Sequence, residues 1–347
     1  MRRSTLWMIK ANYHASLLVG IISFCRNQNT GEIYTSPIVT AYSALVSIGL
    51  FAIVYVLFFI DFSSPYLYVK INGLIFVVRV MSILLTAVCN WTKRRELMVL
   101  ISDLSATRHT ILQRWPMSEK LKRKFENTLR RKFYWSYLAM ITLFLGLFEY
   151  LKMQFDMPIV FVIMALAVMT TVLNVVMMNY FILMSHLNIL LMLINEELVK
   201  ILNVSYILRY LQNLQLIRPR FLREQCGLMA NDLHDLAMTQ HRLHLLGNRI
   251  NCIYEIHGAC IILMEYLNNV SMFHIVYTSW HNSQQILEQF SIWSMILAPI
   301  FLLIHYIDLY FFMWGIMDFQ KSFTTTGELL KERELAMPPL DGRLEES

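Results

Sequence analysis

Two charged residues lie deep within long apolar segments of this sequence. Arg79 interrupts residues 71–92 and Glu265 interrupts residues 256–287. At about 1.5 Å per helical residue, each lies roughly 13 Å from the nearer end of its segment. A charge in hydrocarbon is costly and is usually paired or functional. We hypothesise that the two side chains pair, with Asn269 one helical turn beyond Glu265; alternatively, each faces a polar cavity separately.

Aromatic residues are also frequent in the half of the predicted helical bundle that we assign to the outer side of the membrane. They suit either a pocket for a small, mostly apolar ligand or an interfacial aromatic belt with ordinary core packing. The set comprises Tyr66, Tyr68, Phe148, Tyr150, Tyr266, Phe273 and Trp293. The residues that we expect to contact a ligand are Arg79, Tyr150, Glu265, Asn269 and Trp293.

Other reactive side chains form no recognisable catalytic motif. His305 and Asp308 are one turn apart and suit either an acid–base pair in a membrane enzyme or a polar pair at the membrane interface; we favour the second. Potential zinc ligands also occur at Cys226, His234, His241 and His244. Because HExxH, GxSxG and the nucleotide-binding glycine motifs are missing, we predict no metal site, no cofactor and no enzymatic activity.

The composition indicates a membrane protein. Of the 347 residues, 56% are hydrophobic and only 16% are charged, whereas soluble domains average about 25% charged residues. Stretches of about 20 apolar residues can cross the bilayer as helices. We predict an all-α, multi-pass transmembrane bundle with six spans at about 39–60, 71–92, 133–151, 157–180, 256–278 and 289–312.

The distribution of Lys and Arg sets the orientation. Of the 30 such residues, 27 lie in four regions that alternate with the other loops, namely 1–38, 93–132, 195–249 and 318–347. The positive-inside rule therefore places these regions and the N-terminus in the cytoplasm. Residues 15–24 are read as a short interfacial or re-entrant segment, because no small-residue cleavage site follows them.

The cytoplasmic regions have helical patterns. Residues 93–132 carry a strongly basic face, which is either a patch for anionic lipid or a solvated face near the headgroups. In 195–249, leucines at helical spacing predict an amphipathic helix that packs on the inner end of span four. The leucines of this helix are Leu228, Leu233, Leu236, Leu243 and Leu246.

Residues 157–195 lack Asp, Glu, Lys and Arg, so this long helix either projects beyond the bilayer or breaks.

Several segments together resemble the insect gustatory receptor family of the insect chemoreceptors. They are LLVGIISF before the first span, NWTKRRELMVLISDL opening the basic loop, NVVMMNYFILMSHLNILLMLINEEL in the fourth helix, and HDLAMTQHRLHLLGNRINCIYEIHGACIIL leading into span five. The resemblance is architectural and covers most of the chain.

This resemblance implies a tetrameric, ligand-gated cation channel in the plasma membrane of sensory neurons. A small-molecule tastant would bind between the helices in the outer half, the inner helix extensions would anchor the homo- or hetero-tetramer, and nucleic acid would have no role. The family also has a seventh, pore-lining helix with a Thr-Tyr and, five residues later, a Gln-Phe. Neither follows residue 317, so we expect a chain that stops one helix short.

Two other receptor or carrier classes agree less well with the sequence. A G-protein-coupled receptor would have its N-terminus outside, against the charge bias. A six-span transporter remains the alternative function, although it would predict an internal repeat and helices broken near the midplane. A truncated, non-conducting receptor subunit is the other alternative.

Overall fold

The computed structural model describes residues 3–26, 33–57, 67–153, 157–216, 218–281 and 292–336. Within these residues the protein is almost entirely helical, which confirms the all-α prediction. One two-residue antiparallel hairpin pairs β1 (Cys25–Arg26) with β2 (Ile33–Tyr34). The helices are α1 Arg3–Leu18, α2 Pro37–Leu57, α3 Leu67–Thr92, α4 Arg94–Arg114, α5 Glu119–Met153, α6 Met157–Asn213, α7 Pro219–His281 and α8 Ile292–Ala336.

Five stretches of described helix are long and apolar enough to cross a membrane. They overlap five of the predicted spans, and the remaining predicted span, 133–151, lies on α5. The 57 residues of α6 form one helix about 85 Å long, so this segment projects beyond a core of about 30 Å and does not break. The five stretches are Pro37–Tyr55, Gly73–Thr92, Met164–Asn213, Pro219–Val270 and Pro299–Lys331.

The chain divides into two compact units, and the helices α4 to α8 contribute residues to both. The first unit comprises the described residues of Met1–Ser102, Leu129–Ile182 and Asn251–Phe312. The second comprises those of Asp103–Thr128, Leu183–Ile250 and Met313–Ser347. The first unit therefore holds most of each predicted span, and the second holds most of the predicted cytoplasmic regions.

An apolar cluster forms part of the core of the first unit. It joins α2, α3, α6 and α7, with Ile83 fully buried on α3 and Met169 almost fully buried on α6. Burial of such side chains stabilises a helix pair by dispersion contacts, even where lipid rather than water surrounds the bundle. Its members are Leu50, Val54, Phe76, Val80, Ile83, Ala165, Met169, Val172, Leu173 and Met264.

Residues 15–24 of the N-terminal segment contain the end of a helix and a turn. The helix begins at Arg3 and ends at Leu18, and a turn at Gly20 leads into the buried Phe24. Gly20 has a φ of +73°, a left-handed conformation that glycine adopts without a steric penalty. The apolar residues of 15–24 therefore form a helix end and a turn, because Gly20 ends the helix in the middle of this segment.

The second unit packs α4, α6, α7 and α8 through both leucines and polar contacts. Leu233, Leu236, Leu243 and Leu246 are buried as predicted, but Leu228 is 54% exposed, so its assignment to the apolar face was wrong. The side chain of Asn195 donates to the Ser322 carbonyl oxygen at 2.7 Å and accepts from Thr326 Oγ1 at 2.6 Å. These hydrogen bonds satisfy a buried amide and fix the register of α6 against α8.

Candidate functional site

Arg79 lies on the face of α3 that borders the core of the first unit. Its neighbours Phe76 and Val80 are buried in the cluster, and Arg79 itself is half-buried. Asn269 on α7 is also half-buried, and lies five residues beyond Met264 of the same cluster. These two predicted ligand contacts are thus on helices that share this core, with their side chains partly covered.

The other three predicted ligand contacts lie outside the described side chains. Tyr150 falls on α5, Glu265 on α7 and Trp293 on α8. The Arg79–Glu265 pair and the five-residue ligand site therefore stay predictions.

Three of the aromatic residues predicted near the ligand are exposed on the surface of the chain. Phe148, Tyr266 and Phe273 all point away from the core, and Phe273 is 78% exposed. Tyr266 and Phe273 are seven residues apart on α7, so they share one face of the helix. This placement is typical of an aromatic belt facing lipid rather than of a buried pocket wall.

A buried ion pair joins α5 to α8. Lys132 Nζ lies 2.7 Å from Asp308 Oδ2, and the two side chains are only 3% and 11% exposed. The same ammonium donates to the Asp308 carbonyl oxygen at 3.1 Å. The sequence pattern predicts Lys132 on the basic face of residues 93–132, either in a lipid patch or solvated near the headgroups, and suggests only His305 as a neighbour of Asp308. Both assignments missed the partner, because 176 residues separate the pair.

Aromatic and amide side chains extend this pair to α6 and α7. The Lys132 ammonium lies 5.6 Å from the Phe312 ring centroid, and the Tyr180 ring lies 5.6 Å from the same ring. The Tyr180 hydroxyl donates to Asn251 Oδ1 at 2.9 Å, and its ring is 5.2 Å from that of Tyr254. We call this set the polar–aromatic cluster: Lys132, Tyr180, Asn251, Tyr254, Asp308 and Phe312.

The polar–aromatic cluster coincides with the predicted cytoplasmic ends of four spans. Lys132 immediately precedes the span at 133–151, and Tyr180 ends the span at 157–180. Asn251 and Tyr254 precede the span at 256–278, while Asp308 and Phe312 close the span at 289–312. Side chains from α5, α6, α7 and α8 therefore meet in one layer, and they tie these helices together at the predicted inner ends of their spans.

The ion pair between Lys132 and Asp308 is sensitive to the position of α8 against α5. Burial lowers the pKa of the Lys132 ammonium, and the nearby carboxylate of Asp308 opposes that shift. Asp308 Oδ1 is buried and has no hydrogen-bond partner among the described residues. The pair is therefore held by one carboxylate oxygen and one carbonyl, so its geometry depends on the position of α8 against α5.

Further polar contacts run along α6 in the first unit. Ser136 Oγ donates to Asn174 Oδ1 at 2.6 Å, joining α5 to α6. Asn12 Nδ2 donates to Asn179 Oδ1 at 2.7 Å, and the Asn179 amide donates back to Ser16 Oγ at 2.9 Å. The buried face of α1 is thus polar and docks on α6 by hydrogen bonds instead of apolar packing.

One sequence signal could have indicated the cluster. Lys132 is the last of three consecutive bases and the only one of them at a buried helical position, three residues after the buried Leu129. The spacing of apolar residues along the helix places Lys132 on the buried face and Arg130 and Arg131 off it, whereas the total charge of the loop treats the three bases alike. Among the described residues, no three His, Cys, Asp or Glu side chains lie close enough to hold a metal ion.

The polar–aromatic cluster ties α5, α6, α7 and α8 together through an ion pair, a hydrogen bond and aromatic contacts. No curated protein matched the sequence significantly. The family model described as 7tm Chemosensory receptor matches residues 9–347, nearly the whole chain. Together with the multi-pass helical fold, this match shows that the chain belongs to the 7tm chemosensory receptor family.

Proposed function

We propose that this chemoreceptor is a taste receptor subunit of a ligand-gated cation channel, binding a small-molecule tastant in the outer half of the first unit. The observation that carries the proposal is the half-buried Arg79 beside the apolar core. A guanidinium at this depth needs a polar counterpart, which a ligand or an acidic residue of the bundle supplies. Tyr150, Glu265, Asn269 and Trp293 complete the proposed contacts.

The core supports proximity of Arg79 to Glu265. Phe76 and Val80, on either side of Arg79, belong to the same buried cluster as Met264, the residue before Glu265. A tastant with a hydrogen-bonding group and an apolar body would suit this neighbourhood.

The polar–aromatic cluster supports a route from ligand to pore. A ligand shifts a conformational equilibrium only by binding one state more tightly than the other. Lys132 and Asp308 tie α5 to α8 at the predicted inner ends of their spans, so a change in tilt at the outer ends is resisted there. We propose that tastant binding changes the tilt of these helices in neighbouring subunits of a homo- or hetero-tetramer in the sensory-neuron plasma membrane.

Expression in oocytes, alone and with a partner receptor, tests the channel proposal. A tastant panel is expected to evoke a cation current in at least one combination, and Arg79→Gln is expected to shift the half-maximal concentration of the active tastant at least tenfold without loss of surface protein. Uptake of labelled tastant without any current would instead indicate a transporter.

A charge exchange tests the Arg79–Glu265 hypothesis separately. We expect Arg79→Glu and Glu265→Arg each to reduce surface expression, because each places two like charges within the bundle. The double variant Arg79→Glu/Glu265→Arg restores the opposite charges and is expected to recover expression, measured by surface biotinylation. Failure of the double variant to recover would contradict the pairing while leaving the ligand site open to the current measurement.

A further inference from the structure

One face of α5 in the first unit changes in order from basic to aromatic to apolar. Its members are three or four residues apart, which aligns them along the helix. Tyr134 is 59% exposed, and the residues that follow it on this face are all exposed. The face consists of Arg130, Tyr134, Tyr137, Ile141, Phe144 and Phe148, with Arg131 exposed beside its basic end.

The apolar end of this face locates the membrane. In a multi-pass membrane family, exposed Ile141, Phe144 and Phe148 face acyl chains. Tyrosines concentrate at the headgroup level, and Arg131 lies about 5 Å beyond Tyr134 along the helix axis. Each headgroup layer is about 5–8 Å thick, so Arg130 and Arg131 fall among the lipid phosphates.

A second helix of the first unit shows the same order. On α3 the exposed Val77, Met81 and Val88 lead to Trp91, and an exposed Arg95 follows at the start of α4. Along the sequence, the α3 face runs from its apolar end to its basic end, whereas the α5 face runs from its basic end to its apolar end. Both basic ends fall in the region 93–132, which the positive-inside rule assigns to the cytoplasm.

The neighbouring Lys132 shows that these bases are not equivalent. It is buried against Asp308, whereas Arg130 and Arg131 are turned outwards. Arginine binds phosphate through two parallel hydrogen bonds and is the side chain best suited to a headgroup. We propose that Arg130 and Arg131, with Tyr134, form a binding site for the phosphate headgroup of an anionic phospholipid in the cytoplasmic leaflet.

Lipid retention by the full chain in nanodiscs tests this site. The probes are phosphatidylserine and phosphatidylcholine, and native mass spectrometry counts the lipids that remain bound. Phosphatidylserine is expected to be retained preferentially. The variant Arg130→Gln/Arg131→Gln is expected to lower that preference about 30-fold, at about 1 kcal/mol for each base. Arg130→Lys/Arg131→Lys keeps the charge and is expected to lose less of it.

Arg220→Gln/Arg223→Gln is the matched control, since it removes two exposed arginines at the start of α7 in the second unit. It is expected to leave the preference unchanged. Equal loss in both glutamine pairs would overturn the site in favour of general electrostatic attraction. Full displacement of the lipid by inorganic phosphate or soluble glycerophosphoserine would also overturn it, because the site would then recognise a free phosphate.

Discussion

Lys132→Met is expected to destabilise the protein by about 3–5 kcal/mol, because it leaves the Asp308 carboxylate buried without its counter-charge. Asp308→Leu should do the same by stranding the ammonium. The measurements are the Tm of the detergent-solubilised protein and the amount of surface protein in cells, both of which are expected to fall sharply.

The double variant Lys132→Met/Asp308→Leu distinguishes a lost charge balance from lost packing. It removes both charges and is expected to recover most of the stability, since apolar replacement of a whole buried pair is often neutral or favourable. Arg249→Met is the matched control, because Arg249 and Asp103 pair at 2.8 Å with side chains 43% and 48% exposed. Exposed pairs contribute about 0–1 kcal/mol, so a similar Tm for Lys132→Met and Arg249→Met would refute the importance of the buried pair.

Restored stability and restored gating are separate outcomes. If the ion pair ties α5 to α8 during the response, the double variant should fold yet respond to tastant with an altered half-maximal concentration. A folded double variant with an unaltered response would limit the role of the pair to stability.

Gly20→Ala is expected to cost about 2–4 kcal/mol. The residue has a φ of +73°, and a Cβ at this position would lie 3.0 Å from both Cβ and Cγ1 of Val46. The Gly20 carbonyl oxygen also accepts from Ser43 Oγ at 2.8 Å and from Asn90 Nδ2 at 2.7 Å. A shift of this turn therefore disturbs its contacts with α2 and α3, and Tm reports the loss.

Two further variants separate the causes of that loss. Gly20→Ala/Val46→Ala removes the overlap but keeps the strained φ, so it should recover part of the stability lost through crowding. Gly49→Ala is the control, since a Cβ there meets nothing within 4 Å, and it is expected to stabilise α2 by about 0.5–1 kcal/mol. Equal Tm values for Gly20→Ala and Gly49→Ala would mean that the turn tolerates a side chain.

The long apolar helices were predictable because bilayer thickness imposes a length on apolar sequence, and this constraint does not depend on tertiary contacts. The 157–195 stretch shows its limit: composition left open whether the helix projects or breaks, and α6 continues to Asn213. A continuous helix satisfies its backbone N–H and C=O groups both inside and outside the bilayer. Hydropathy therefore could not distinguish a helix that projects from one that breaks.

The polar–aromatic cluster could not be derived from the sequence, because its partners are far apart along the chain. Lys132 and Asp308 each have an ordinary local explanation, as a loop base and as an interfacial acid. Only the packing of α5 against α8 brings the two charges together. The exposed Leu228 is a different case: the packed face of α7 continues through the buried Cys226 and Met229, and Leu228 lies to one side of it.

The polar docking of α1 on α6 has a consequence for how the chain is made. Asn12 is translated 167 residues before Asn179. At about 5–20 residues per second, the ribosome needs roughly 8–30 s to reach the partner. Until then the Asn12 amide and the Ser16 hydroxyl lack Asn179 as their hydrogen-bond partner, and water or headgroups must solvate them. Helix α1 therefore leaves the ribosome well before α6 and can dock only after this part of α6 has been made.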